Sequence, residues 1–212
     1  PAVTETPTET GTDVVHTERQ DPDTDRLGWE NGYWYDDPVA VNASDGLNES
    51  EREAVINRAM ARVEYVRGLE FEEEVDISVI SRSNYSAGGG GDRDASFQRF
   101  DNAKFEALFV IGNQEDSLQS QDDTRNQTVA GYYSPGRGDI VLISESDTPQ
   151  MDGEATLAHE LTHALQDQHF NLSSGDVSTR DAYNGRNGLI EGDARTVETD
   201  YTDHCGDTWA CL

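Results

Sequence analysis

The segment AHELTHALQDQHF, residues 158–170, constrains the fold of this chain more than any other stretch. It holds three of the five histidines in the protein. Apolar side chains recur here at every fourth position, which is the spacing of one face of an α-helix, and they are Leu157, Leu161 and Leu165. His159 and His163 are also four residues apart, but on a different side of the same helix. The pattern predicts a helix whose leucines enter a core and whose two imidazoles face something else.

Two imidazoles one helical turn apart converge on a single metal ion. Glu160 follows the first histidine and then points to an open coordination position without binding the ion. This is the H-E-x-x-H arrangement of zinc hydrolases. We therefore expect Zn²⁺ bound by His159 and His163, with Glu160 as the catalytic base. The alternative is a polar helix face carrying two solvated histidines.

A catalytic zinc ion needs a third protein ligand, and His169 is one candidate. It has the offset from His163 seen in metzincins, whose motif contains a glycine where this chain has Gln166. Metzincins also place a methionine after the motif, whereas Met60 and Met151 both precede it. His169 is therefore a poor ligand candidate, and we expect it to lie near the C-terminal end of the helix.

Glu191 is the second candidate for the third ligand. It lies in GLIEGDARTVETDYTDH, where apolar residues have helical spacing, so we expect it in the first turn of another helix. Two histidines and a glutamate from a second helix form the gluzincin ligand set. Asp193 and Asp167 are candidate acceptors for the N–H groups of the ligand imidazoles; the alternative is that each is a solvated surface acid.

The blocks HELTHALQDQHF and LIEGDA resemble a family of zincin-like proteins of bacteria and archaea. In that family the histidine block follows a hairpin similar to GYYSPGRGDIVLIS, and the resemblance covers about residues 131–193. The upstream segments GWENGYWYDDP and SDGLNESE resemble those of haloarchaeal surface proteins that carry the same block.

The resemblance implies an α+β zincin-like metallopeptidase domain, with a small mixed or antiparallel sheet, an active-site helix and a second ligand-bearing helix. It also implies His159, His163 and Glu191 as zinc ligands and Glu160 as the base. The expected function is hydrolysis of peptide bonds by glutamate-assisted attack of a zinc-bound water on a peptide or protein substrate. The alternative is a non-catalytic or non-peptidase zinc-binding surface protein on the same scaffold. Neither reading specifies the substrate or the oligomeric state.

The charge of the chain is strongly acidic, with a formal net value of −28. The acidic residues are dispersed, and Lys104 is the only lysine. This composition is typical of proteins that remain soluble in very high salt, where charge repulsion is screened. An ordinary acidic protein is the alternative. A charge of this sign argues against nucleic acid and anionic membranes as partners.

Residues 1–26 are rich in Thr, Pro and Glu and are predicted to be a disordered stalk, while residues 27–212 are predicted to form the catalytic domain. A stalk behind an N-terminus that is not Met suggests an exported, cell-surface protein with an N-terminal lipid anchor, and no apolar run is long enough to span a membrane. The ending GDTWACL suggests that a C-terminal part is missing.

Cys205 and Cys211 are expected to form a disulfide in an oxidising compartment. N-x-S/T sequons, weak signs of glycosylation, occur at Asn42, Asn48, Asn84, Asn126 and Asn171.

Further expectations concern the surroundings of the metal. Residues 139–144 are predicted to be a strand at a sheet edge that could pair with an extended peptide. Residues 115–128 and 171–187 are predicted to be polar loops. Three side chains remain open as donors to the oxyanion of the reaction, namely Tyr183, Tyr201 and His204.

Overall fold

The structure is a computed structural model that describes residues 20–41, 47–86, 94–146, 150–151, 153–175 and 177–212. In these residues the chain has five α-helices and two small β-sheets, so the expected α+β class is confirmed. Most of the predicted stalk, and Asn42 among the sequons, lie outside the described residues. Arg26, placed in the stalk by the sequence, forms a β-bridge with Trp29.

Helices and strands alternate irregularly along the chain. The strands are β1 (Trp29–Glu30), β2 (Tyr33–Trp34), β3 (Asp76–Ser81), β4 (Gly131–Ser134) and β5 (Asp139–Ser144). The helices are α1 (Glu49–Arg67), α2 (Ala95–Ala107), α3 (Ser117–Thr128), α4 (Glu154–Phe170) and α5 (Arg180–His204). Among the described helices, none combines the length and apolar character that crossing a bilayer requires.

The larger sheet is mixed, with strand order β3–β5–β4. β5 pairs in parallel with β3 and antiparallel with β4. The prediction that residues 139–144 form an edge strand is therefore wrong, because β5 is the central strand. Its run of Ile140, Val141, Leu142 and Ile143 is buried throughout, as expected for a strand covered on both faces. The edge next to α4 belongs to β4 instead.

Helix α4 lies at the centre of the core. The leucine stripe behaves as predicted: Leu157, Leu161 and Leu165 are at most 1% exposed. Val55 and Val63 of α1 belong to the same apolar cluster. Since α4 also contacts β4, β5 and α5, the helix that carries the two histidines is held on several sides.

A buried ionic cluster attaches the start of α4 to two other helices. Glu154 Oε1 accepts a hydrogen bond of 2.8 Å from Arg58, and its Oε2 accepts one of 2.9 Å from Arg62. Tyr201 of α5 donates its hydroxyl to the same carboxylate, and the backbone N–H of Leu212 completes the set. All lone pairs of a buried carboxylate need such donors, so the cluster defines where α4 begins relative to α1 and α5.

Cys205 and Cys211 form the expected disulfide just after α5, with Cα atoms 5.5 Å apart. The loop that it closes carries Trp209, which is buried against the ring of Tyr201. The guanidinium of Arg62 lies 4.7 Å from the centre of the Trp209 ring. The C-terminal segment of the described chain is thus part of the core.

Two predicted loops are helical. Residues 115–128 contain α3, because Asp116 caps its first turn by accepting from Leu118 N and Gln119 N. Residues 171–187 contain the start of α5, where Thr179 accepts from Ala182 N. Glu191 therefore lies in the middle of α5 and not in its first turn. The two glycines of NGRNG disfavour a helix by about 1 kcal/mol each, but N-capping and packing on α4 outweigh that cost.

A pair of carboxyl groups, Glu30 and Glu64, is buried between β1 and α1. Glu64 accepts hydrogen bonds from Gly28 N at 2.8 Å and Phe71 N at 2.7 Å, and Glu30 bonds to the Glu64 side chain. Burial, followed by the proximity of Glu64, raises the pKa of Glu30 to about 9; burial raises the pKa of Glu64 to about 7. The folded chain thus retains a proton on this pair near neutral pH.

We expect Glu30→Gln to flatten the alkaline side of the stability profile. Both pKa values are raised on folding, so the stability contributed by the pair is full below about pH 4.5 and is lost as pH rises towards 9. The side-chain amide of the glutamine can still donate a hydrogen bond to Glu64, but it has no carboxyl group to ionise. Urea unfolding at several pH values should show the variant gaining stability relative to wild type as pH increases. The prediction is contradicted if the stabilities of variant and wild type change in parallel with pH. It is also contradicted if the exposed control Glu53→Gln shows the same gain.

Candidate metal centre

Three side chains from two helices meet at one point. His159 and His163 extend from successive turns of α4, and Glu191 reaches them from the adjacent α5. The two Nε2 atoms are 3.2 Å apart. Glu191 Oε2 lies 3.4 Å from His159 Nε2 and 3.6 Å from His163 Nε2. The three residues predicted as ligands are therefore brought together, with donor atoms close enough to share one ion.

The spacing of these atoms fits a small tetrahedral ion. Zinc ligands lie about 2.0–2.1 Å from the metal, so two nitrogens of a tetrahedral site are separated by roughly 3.3 Å. The three separations in this cluster bracket that value. Two imidazoles and one carboxylate also match the His₂Glu donor set of catalytic zinc sites, which leave a fourth position open.

Both imidazoles have their second ring nitrogen engaged. His159 Nδ1 lies 2.9 Å from Glu198 Oε2, and His163 Nδ1 lies 2.9 Å from Gln166 Oε1. These oxygens accept hydrogen bonds, so each Nδ1 can donate its N–H and leave Nε2 directed at the cluster. Burial lowers the pKa of His163, which keeps that ring neutral. An acceptor at each Nδ1 is the arrangement that metal binding through Nε2 needs.

The partners of the imidazoles are not the predicted ones. Asp193 accepts from Gln166 Nε2 at 2.9 Å and from Arg67 Nε at 3.0 Å, so it reaches His163 only through the amide of Gln166. Asp167 instead accepts the hydroxyl of Tyr133 at 2.9 Å. Neither aspartate is hydrogen-bonded to an imidazole.

Two residues missed by the sequence analysis occupy those positions. Glu198 lies seven residues after Glu191, two turns along the same face of α5, and that spacing was a signal available in the sequence. Gln166 lies one turn after His163 in α4 and also donates to the carbonyl of Ile190 at 3.0 Å. The amide therefore binds one histidine and fastens α4 to the ligand-bearing part of α5.

Glu160 lies beside the ligand cluster without joining it. Its side chain is buried, and burial raises its pKa to about 7. The backbone N–H of Tyr133 in β4 donates to the carboxylate. β4 approaches closely because Gly131 has no side chain: a Cβ there would lie 3.3 Å from Glu160 Cγ and 3.0 Å from Thr156 Cγ2. The glycine therefore sets the distance between the edge strand and Glu160.

A cavity of about 250 Å³ opens beside the cluster. His163 and Glu191 line it, together with Tyr183. The other two candidates for the oxyanion donor lie elsewhere: Tyr201 is buried against Glu154, and His204 Nδ1 bonds to the hydroxyl of Thr208 at 2.9 Å. Of the three residues left open by the sequence, Tyr183 alone faces the site.

His169 takes no part in the cluster. Its Nε2 lies 2.7 Å from the carbonyl oxygen of Glu70, which fastens the last turn of α4 to the segment after α1. A larger cavity of about 720 Å³ lies between β2, α1 and the start of β3, and none of its lining residues belongs to the cluster. Of the cluster, His163 and Glu191 line the smaller cavity instead.

We expect Glu198→Ala to weaken metal binding by about 10- to 100-fold, the usual cost of removing the outer partner of a ligand histidine. The change frees the His159 ring to rotate and to adopt the other tautomer. Competition with a chromogenic zinc chelator measures the affinity. Asp203→Ala, an exposed acid on the same helix, is the matched control; equal affinities for both variants would rule out a role for Glu198.

Comparison of the chain with protein-family models, with curated proteins and with solved structures found no match.

Proposed function

We propose that this chain is a zinc metallopeptidase of the gluzincin type, with a zincin-like fold. The observation that carries the proposal is the convergence of His159, His163 and Glu191 at tetrahedral spacing, with the buried carboxylate of Glu160 beside them. A polar helix face would not need an acceptor at the Nδ1 of each imidazole, nor an edge strand held against the adjacent glutamate.

The proposed metal is held by the two Nε2 atoms and by Glu191 Oε2. When bound, zinc lowers the pKa of a coordinated water and polarises a carbonyl group. Glu198 and Gln166 fix the orientation of the ligand rings by binding the Nδ1 of each ring, on the side away from the proposed metal. The chain itself thus supplies a preorganised ligand set, so little rearrangement accompanies metal binding.

Glu160 acts as the general base and then as the general acid. Its carboxylate takes a proton from the attacking water and returns it to the leaving amine as the peptide bond breaks. Burial and the N–H of Tyr133 keep the carboxylate in one orientation for both transfers. Tyr183, which faces the cavity, is the proposed hydroxyl donor to the negative oxygen that develops on the substrate carbonyl.

The proposed substrate is an extended peptide, because an edge strand borders the site. Among the described strands β4 pairs only with β5, and an unpaired strand edge can bind a peptide by main-chain hydrogen bonds. The N–H of Tyr133 is engaged by Glu160, so pairing uses other groups of β4. This edge favours peptides over small amides or esters as substrates.

The setting of the reaction is proposed to be the outside of a cell in high salt. The disulfide after α5 suits an oxidising compartment, and a net charge of −28 suits a protein that remains soluble in brine. We further propose attachment to the cell surface through the predicted N-terminal stalk and a lipid anchor.

Metal analysis combined with a peptide-library digest tests the function. We expect about one zinc ion per chain, cleavage of library peptides at molar salt, loss of cleavage with a chelator, and recovery when zinc is restored. Bound zinc without any turnover would contradict the peptidase and favour a zinc-binding surface protein. Turnover that persists after complete metal removal would contradict the metal mechanism.

A further inference from the structure

The cavity beside the ligand cluster is largely apolar but contains one cation. Leu172, Val177 and Ile190 contribute apolar walls, and Arg186 is the only Arg or Lys in the described lining. The volume of about 250 Å³ is below the roughly 300–1,000 Å³ of sites for whole small ligands. A space of this size fits a single side chain or the end of a peptide next to the bond being cut.

Arg186 is half-buried in this wall and retains free donors. One Nη2–H group donates to the carbonyl of Leu172. In the described part of the chain no carboxylate forms an ion pair with its guanidinium. A guanidinium has five N–H donors, so most of them remain available to a ligand.

Arg186 differs in this from the other two arginines of α5, Arg180 and Arg195, which both form ion pairs. Acidic residues outnumber basic ones by 43 to 15, and neighbouring arginines are paired: Arg67 with Asp193, and Arg195 with Glu198. Glu191, which lines the same cavity, is directed at the two imidazoles. Arg186 thus presents a positive charge, without an ion pair to any described carboxylate, at a cavity that adjoins the ligand cluster.

We infer that Arg186 is a specificity-determining residue that binds a carboxylate of the substrate, and this inference rests on the proposed peptidase function. The carboxylate is either an acidic side chain near the scissile bond or the free C-terminus of a short peptide. Both present two oxygens that match the planar fork of a guanidinium. A bidentate contact of this kind also persists at molar salt, where charges beyond about 3 Å are screened.

Three peptide libraries with matched sequences test the inference, and the first two have blocked C-termini. One carries a single Glu at varied positions, the second carries Gln at the same positions, and the third is the Gln library with a free C-terminal carboxylate. Wild type, Arg186→Gln and the control Arg52→Gln are compared at molar salt. Arg52 lines the separate cavity beside α1, so its substitution removes the same charge away from the site.

We expect wild type and Arg52→Gln to favour one carboxylate-bearing library over the Gln library by about tenfold in kcat/KM, as a charge-assisted contact warrants. The ratio should fall to about one in Arg186→Gln. Preference for the Glu library assigns the contact to a side chain, and preference for the free C-terminus assigns it to the chain end. No preference in wild type, or a preference that survives in Arg186→Gln, overturns the inference.

Binding to zinc-loaded Glu160→Gln separates this inference from the proposed function. Calorimetry with the best Glu, Gln and free-carboxylate peptides reports recognition without turnover. One outcome is that wild type cleaves no peptide at all, while peptides with a carboxylate bind in an Arg186-dependent manner. The peptidase proposal then fails and the recognition stands. If wild type cleaves peptides with no Arg186-dependent preference, the recognition fails and the peptidase stands. Absence of both binding and cleavage overturns both.

Discussion

Glu160→Gln is expected to lower kcat/KM for peptide cleavage by roughly a hundredfold to ten-thousandfold, the usual contribution of a general base, while zinc remains bound. The amide has nearly the same shape as the carboxylate and still offers an oxygen to the N–H of Tyr133. It cannot take a proton from the attacking water. The measurement is initial rates on a fluorogenic peptide taken from the library digest, with zinc content determined on the same samples.

The interpretation depends on where Glu160 lies. It is excluded from the cluster formed by His159, His163 and Glu191, so its substitution leaves all three ligand atoms in place. Glu53→Gln, the same chemical change on an exposed part of α1, should retain full activity. If Glu160→Gln keeps more than a tenth of wild-type activity with a full complement of zinc, another group is the base and the proposed roles of this site are wrong.

The sequence predicts most of what a single helix determines. In α4 the leucine stripe and the two histidines follow from the helical period alone, and each is found where the period places it. Glu191 was predicted to be the third ligand, supplied by a second helix, because a catalytic zinc site requires one more protein donor. Such predictions use spacing within one segment or the chemistry of one ion, and the structure places the three side chains together.

Contacts between elements were harder to predict. Glu198 reaches the His159 ring only because α5 packs on α4, which brings together residues far apart in the sequence. Gln166 is only one turn from His163, but its orientation also depends on α5, through the carbonyl of Ile190. The same holds for β5, which takes the central position because β3, far away in the chain, pairs with its free side. Helix α3 was missed because its support is polar: Ser117 and Gln121 both donate to Asp101 at 3.0 Å, without an apolar stripe.

Glu191→Ala is expected to have the largest effect on metal binding, with a loss of affinity greater than the 10- to 100-fold typical of outer partners. The variant removes one of the three proposed donors and leaves two imidazoles, which compete poorly with water and chelators. The side chain of Glu191 is 58% exposed, so its truncation removes little packing and should not unfold the chain. A lower zinc content can therefore be attributed to the lost ligand.

Thermal unfolding gives an independent measurement of the same loss. Zinc that binds only the folded state stabilises it by about 2.7 kcal/mol when its concentration is a hundred times Kd, so wild type should melt at a lower temperature after chelation. Glu191→Ala should melt at one temperature with or without zinc. Asp193→Asn, which touches the cluster only through Gln166, should retain most of the zinc effect. If Glu191→Ala holds zinc as tightly as wild type, α5 does not supply the third ligand, and the gluzincin assignment is wrong even if Glu160 proves to be essential.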